Sequence, residues 1–368
     1  MSKSFYITTL TLFFVGIFLW FFYPPPKPPI KVGLMVSLTG SSPDLGREIR
    51  DGAFMAVEEI NNGGGINGRR IELIIKDNMA NSEIAKENYL EFLNEGVTAV
   101  IGPATSTIAR ALLPLINEHK LLAISPTVSA TEFTGKDDYF ITLEPCNNKF
   151  ARVFGKYVRE KIKPKKTLIM IDERNPVYTG DFAGSFINQI KKISSIYTLT
   201  ISEKVSDFDE LVNHALSYRP DFVLIITDIF NASIIIQKIR RINSHVQLGI
   251  APWARFYGLV VFTGHFSEGV LSVDFYDQST KKYMEFKEKF MKKFGYPPDS
   301  SVINGYNAVM IIKEAILKSA KSGSIGENIL NSKFNLPLGD ISINQYGDSE
   351  IEPFVIVIKN GIFERIES

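Results

Sequence analysis

The feature that most constrains this chain is an alternation of short apolar runs with longer amphipathic ones. Runs over 30–36, 71–77, 99–102 and 123–125 read as strands, and the stretches 53–61, 82–95 and 106–119 read as helices. Strands of this kind with helices between them form a parallel sheet covered on both faces. A second series follows Glu144-Pro145: helix 150–161, strand 167–171, helix 181–193, strand 197–201, helix 208–216, strand 222–227, helix 232–242 and a strand near 247–250. After these, 281–294 and 304–319 read as helices. The stretches 340–344 and 354–359 read as β structure, with Asn360-Gly361 as a hairpin-type turn. The series makes two α/β units in tandem, and 368 residues are too many for one core.

The formal net charge is +1, and the basic residues form no stripe, so nothing points to a nucleic-acid partner. A single cysteine, Cys146, excludes an internal disulfide and any multi-cysteine zinc site. The N-terminus carries the information on location. Residues 5–23 are uncharged and apolar, about 28 Å long as a helix, which approaches the hydrocarbon thickness of a bilayer. Trp20 and Tyr23 sit at the outer end, where aromatic belts lie. No Ala, Gly or Ser stands between Gly16 and Gly33 to form a signal-cleavage site. The expectation is an uncleaved membrane anchor over residues 1–23, with a secreted periplasmic protein as the alternative. Pro24-Pro25-Pro26-Lys27-Pro28-Pro29 then reads as a stiff spacer over 24–29.

Catalytic and cofactor motifs are missing. Gly63-Gly64-Gly65-Ile66-Asn67-Gly68 fits G-x-G-x-x-G, but it follows a helix and precedes a strand. A dinucleotide site needs the reverse order, so these glycines read as a helix cap and turn. The histidines His119, His214, His245 and His265 are too widely spaced for helix-borne metal ligation. No enzyme, metal or cofactor is expected.

Ligands of open α/β sheets bind beyond the carboxyl ends of the strands. In the first unit this selects the loops 37–42, 102–107 and 125–131. Ser106 and Thr107 open a helix, where hydroxyls and the helix dipole suit a carboxylate, although either residue also serves as a cap. In the second unit Asn175-Pro176-Val177-Tyr178 follows a strand. Asp228 ends another, placed to meet an ammonium group or to cap helix 232–242.

The order of several segments is also informative: strand 30–36, Ser37-Leu38-Thr39-Gly40, a helix ending Ala56-Val57-Glu58-Glu59-Ile60-Asn61-Asn62, the glycine turn, strand 71–77, Val100-Ile101-Gly102-Pro103 and Ser125-Pro126. In this order and spacing the chain, from about residue 30 to its C-terminus, resembles the extracytoplasmic solute-binding proteins of the leucine/isoleucine/valine type. The resemblance implies a type I periplasmic binding fold, with two Rossmann-like lobes, parallel central sheets and a three-strand hinge crossed near 145, 275 and 335. Lobe 1 would hold 30–144 and 276–335, and lobe 2 would hold 145–275 and 336–368. It also implies a small carboxylate ligand, an amino acid or a relative, bound between the lobes and passed to an ABC transporter permease. A ligand-sensing receptor subunit of the same fold is the alternative. By the resemblance, Ser106 holds the ligand carboxylate, Thr127 and Ser129 serve carboxylate and amine, Tyr178 closes over the ligand and Asp228 faces the cleft. Trp253 stands where those proteins have the glutamate of Pro-Glu. Either Asp228 then takes the ammonium, or the ligand has no amine and meets the face of Trp253.

Overall fold

The structure is a computed structural model that describes residues 27–366 apart from 203, 204, 206, 337 and 338. The expected anchor over 5–23, and residues 24–26 of the proline spacer, lie outside the described residues. Among the described residues no helix is long and apolar enough to cross a membrane.

Strand β1 (Ile30–Val36) is buried along nearly its whole length. It pairs in parallel with β2 (Ile71–Asp77) on one side and β3 (Val100–Ile101) on the other. Strands β4 (Ala123–Ser125) and β5 (Phe140–Thr142) extend the sheet to the order β2-β1-β3-β4-β5, all parallel. Parallel pairing puts every strand's carboxyl end at one edge, where the connecting loops collect. The crossovers are α1 (Pro43–Asn62), α2 (Ser82–Glu95) and α3 (Ser106–His119). Helix α1 begins ten residues before the apolar stretch that signalled it, with Pro43 in its first turn, where a missing N–H costs nothing. Asn81 starts α2 by accepting from the N–H groups of Glu83 and Ile84, and Gly96 ends it in the left-handed region. The glycine run forms the turn between α1 and β2, as its position after a helix required.

The second lobe repeats the plan with α4 (Asn147–Tyr157), β6 (Lys166–Asp172), α5 (Pro176–Ile190), β7 (Ser195–Ile201), α6 (Phe208–Ser217), β8 (Phe222–Ile226), α7 (Ile229–Ile242), β9 (Gln247–Ile250), α8 (Tyr257–Thr263) and β10 (Leu271–Asp274). The core of its sheet, β10, β9, β8, β6 and β7, is parallel as expected, and the expected C-terminal hairpin joins it at one edge. The order is β14-β13-β10-β9-β8-β6-β7, and β13 (Phe354–Lys359) and β14 (Ile362–Arg365) are antiparallel additions. A two-residue connection at Asn360-Gly361, both with positive φ, can only join antiparallel strands.

Between the two visits to the second sheet the chain returns to the first lobe as α9 (Lys281–Phe294), α10 (Ser300–Ser319) and the hairpin β11 (Ser332–Leu336) and β12 (Gly339–Ile343). Helix α10 lies along α1 so closely that each presents a glycine to the other's backbone. A Cβ on Gly305 would stand 2.3 Å from the Ile49 carbonyl oxygen, and one on Gly52 would stand 2.0 Å from that of Val302. The last division, expected at 335/336, falls later. β12 pairs with β11, and the Ser349 N–H donates to the carbonyl of Thr142 at the end of β5. Pairing with the second sheet resumes only at Phe354. Thus 339–349 stay beside the first sheet, because β12 must pair with β11 before the chain can leave.

Gly305→Ala tests the helix contact. Because the obstacle is backbone rather than a mobile side chain, the substitution should destabilise the protein by about 3 kcal/mol. Denaturant unfolding measures it, and a change under about 0.5 kcal/mol would mean that α1 and α10 stand further apart in solution.

Candidate functional site

The loops at the carboxyl edges of the two sheets face each other across a cavity of about 410 Å³ of atom-free space, part of it open to solvent. Its walls include Thr105, Ser106, Thr127 and Ser129 from the first lobe and Tyr178 and Trp253 from the second, with Glu144 and Arg255 at the hinge. Five of the seven residues expected from sequence, Ser106, Thr127, Ser129, Tyr178 and Trp253, are therefore brought together. Thr107 and Asp228 do not line this cavity.

The first-lobe hydroxyls differ in what they can offer. Thr127 Oγ1 donates to the Ala104 carbonyl at 2.7 Å, and Ser129 Oγ donates to Asn147 Oδ1 at 3.1 Å. Their protons are spent, and their lone pairs remain for a donor. Ser106 Oγ only accepts, from the Ala130 N–H at 3.4 Å, so its proton is available to an anion. Thr105 precedes α3 without a side-chain bond to it, and although the Thr107 N–H of the first turn is taken by Asn175, the positive end of that helix lies at the cavity wall. The wall suits a carboxylate beside Ser106.

On the second lobe, Tyr178 and Trp253 meet edge to face with centroids 6.0 Å apart, and the backbone N–H of Trp253 donates to Tyr178 Oη at 3.3 Å. Arg174 lies 5.9 Å from the centre of the Trp253 ring, so one cation already stands at the indole. The same guanidinium pairs with Asp172 and Asp228. Asp228 also accepts from the N–H groups of Phe230 at 2.7 Å and Asn231 at 3.1 Å, capping α7. It faces the cleft, as expected, but in a smaller neighbouring pocket with Ser42, Leu45 and Trp253, and its two oxygens are already bonded to Arg174 and to the first turn of α7.

Thr107 serves the closure of the lobes. Its N–H and hydroxyl both donate to Asn175 Oδ1, at 3.2 and 2.8 Å, across the cleft. Asn175 precedes α5 yet makes no side-chain bond to it. The N–H and hydroxyl of Thr131 reach Asp181 Oδ2 at 2.8 and 3.0 Å, and Val177 of α5 packs into the first lobe's core. The lobes are clasped.

Two residues that the sequence reading passed over stand at the hinge. Arg255 is buried and draws on both lobes. It donates to the Val273 carbonyl and to Ser300 Oγ, both at 2.5 Å, and lies 3.5 Å from Asp274 and 3.9 Å from Glu144. Its guanidinium also sits over Phe150 and Phe275. Glu144 lies on the first crossing, 7% exposed. Burial, only partly opposed by Arg255, pushes its carboxyl up to about 8, with Asp274 and Asp299 adding to the rise. Asp299, the cap of α10, is likewise raised by burial to about 6. Behind it, Glu48 is raised well above the usual range by burial and then by Asp299. The one local hint was an acidic residue just before Pro145, where the chain was expected to change lobes. Among the described residues no group of three His, Cys, Asp or Glu side chains is placed to hold a metal ion.

Two α/β lobes, three crossings and a cavity between facing strand ends define a bilobed binding protein. Residues 29–345 match the family model described as periplasmic binding protein, and the chain belongs to that family. A relative from Pseudomonas aeruginosa, the leucine-, isoleucine-, valine-, threonine-, and alanine-binding protein, is 25% identical over 352 residues, covering 91% of each chain. Among solved structures, a branched-chain amino acid transporter substrate binding protein from Streptococcus pneumoniae, in complex with isoleucine, superposes with a TM-score of 0.83. It shares 22% identity, covering 91% of this chain and 98% of that one. A solute binding protein of an ABC transporter from R. palustris, in complex with benzoate, also gives 0.83 at 19% identity, covering 92% and 95%. These likenesses establish the type I periplasmic binding fold.

The raised Glu144 carboxyl makes stability depend on pH. A proton held more tightly in the folded chain stabilises it fully below the usual glutamate value near 4.5, and that stabilisation is lost as pH rises through about 8. Without ligand, Glu144→Gln should match the parent at about pH 5 and exceed it by on the order of 3 kcal/mol at about pH 9. Denaturant melts at both values check this, and an equal difference at both would contradict it.

Proposed function

We propose that this chain is an extracytoplasmic solute-binding protein of an ABC-type uptake system, taking a small carboxylate, an amino acid or a relative, between its lobes. The observation that carries the reading is the Ser106 hydroxyl with a proton to give, in the first turn of α3, in a cavity closed from the other lobe by Tyr178 and Trp253. Lobe 1 comprises about 30–144 and 276–349, and lobe 2 about 145–275 and 350–366. Closure brings Thr107 to Asn175 and Thr131 to Asp181, and the closed form is what a permease would recognise. The relatives bind amino acids and carboxylates by their descriptions, which supports the ligand class. No residue is assigned a catalytic role. The apolar segment 5–23 remains attached as an anchor to the cytoplasmic membrane, with 24–29 as spacer.

Two measurements test this. Small molecules released from the purified protein and identified by mass spectrometry give the ligand. Ser106→Ala should then weaken its binding by roughly 10- to 150-fold, the range for losing a hydrogen bond to a charged group, with thermal stability nearly unchanged. A fall in stability with affinity intact would make Ser106 a structural residue. For the anchor, intact-mass measurement of protein from its native membrane should show the whole chain, and loss of the first ~20–35 residues would show a cleaved signal instead.

A further inference from the structure

We propose that Glu144 receives a cationic amine of the ligand, which makes the cleft selective for a zwitterion over the corresponding simple carboxylate. The inference rests on the carboxylate-binding reading above and adds the second charge.

The argument starts from which acids have partners. Asp228 is held by Arg174 and by the first turn of α7. Asp274 accepts from the Phe275 N–H at 2.7 Å and lies beside Arg255. Asp299 caps α10 through the N–H groups of Ser301 and Val302. Glu144 differs from all three. It lines the cavity, it is more than nine-tenths buried, and among the described residues its carboxylate accepts no hydrogen bond. The cation paired with it, Arg255, stands 3.9 Å away with its shorter contacts made to Val273 and Ser300. A buried carboxylate left with so weak a partner is the group a ligand cation would satisfy.

The geometry completes the recognition. Ser106 and the α3 end favour an anion on the first-lobe wall, while Thr127 and Ser129 keep only lone pairs, which suit N–H donors. A molecule with a carboxylate at Ser106 and an ammonium group directed to Glu144, flanked by those lone pairs, meets each wall with the complementary charge. Trp253 and Tyr178 then cover its apolar part.

Proton linkage gives a readout independent of any variant. The groups facing Glu144 are Arg255 after β9, Asp274 at the end of β10, Asp299 at the cap of α10 and Tyr178 on α5. Since burial holds Glu144 protonated to about 8, a ligand ammonium must displace that proton below this pH. Affinity for an amine-bearing ligand should therefore rise by up to about tenfold per unit between about pH 6 and 8 and level off above.

The test uses the full chain and matched probes, each an amino acid with its des-amino carboxylate: leucine with 4-methylpentanoate, and phenylalanine with 3-phenylpropanoate. Calorimetry should show at least one amino acid bound roughly 30-fold or more tighter than its partner, with the pH dependence above. Glu144→Gln should abolish that preference while changing des-amino affinity by less than about threefold. Equal affinity for both members in the parent protein, a preference that survives Glu144→Gln, or a flat pH profile would each overturn the inference while leaving carboxylate binding standing. Binding of neither member of any pair would overturn both together. If Glu144→Gln fails to fold, the pH profile of the parent protein still decides.

Discussion

The structure depends most on one buried guanidinium. Arg255 joins two of the three crossings: it meets the carbonyl of Val273 in β10, Asp274 at the second crossing, Glu144 at the first, and Ser300 at the start of α10 in the opposite lobe. Phe150 and Phe275 cover its faces. A cation removed from water in this way must be compensated by neighbours already in place. Those neighbours come from segments more than a hundred residues apart in sequence, so the charge holds the crossings in register. Removing it would leave Asp274 and Glu144 facing each other across an apolar pocket. Its ionic centre ties the two lobes together at the hinge.

From this centre the cleft reads outward as a gradient of commitment. At the hinge, the acids Asp274 and Asp299 are tied to backbone N–H groups. Further out, hydroxyls are partly used: Thr127 and Ser129 donate within the protein, while Ser106 only accepts and retains a proton to give. At the rim, Thr107–Asn175 and Thr131–Asp181 clasp the lobes through short polar contacts that water can replace. Contacts of that kind are nearly neutral on their own. A ligand that touches both walls adds free energy only to the closed form, and that difference shifts the equilibrium.

The layered α/β plan was legible because it rests on local periodicity. β1, β2, α2, α3, α9 and β13 fall where the apolar pattern put them. What escaped was non-local. β11 and β14 are short strands, β14 largely exposed and β11 with only Phe334 and Leu336 buried, so neither carries much apolar signal. The late third crossing follows from a bridge between Thr142 and Asp348, residues with no sequence relation. The same holds for the site. Ser106, Thr127 and Ser129 lie on loops that the strand-end rule selects, but only the family resemblance singles out Thr127 and Ser129. Asp228 also sits at a strand end, but Arg174, fifty-four residues earlier, had claimed it. Glu144 and Arg255 resemble surface charges in the sequence, and only packing shows them buried.

The central claim is that this cleft grips a small carboxylate from the first lobe and closes on it from the second. A crystal structure of the full chain with the ligand identified from the purified protein tests that claim most directly. The account predicts the ligand between the lobes, its carboxylate within hydrogen-bond distance of Ser106 Oγ and its body against Tyr178 and Trp253. A ligand on an outer face, or one whose carboxylate points to Arg255 rather than to Ser106, would contradict it.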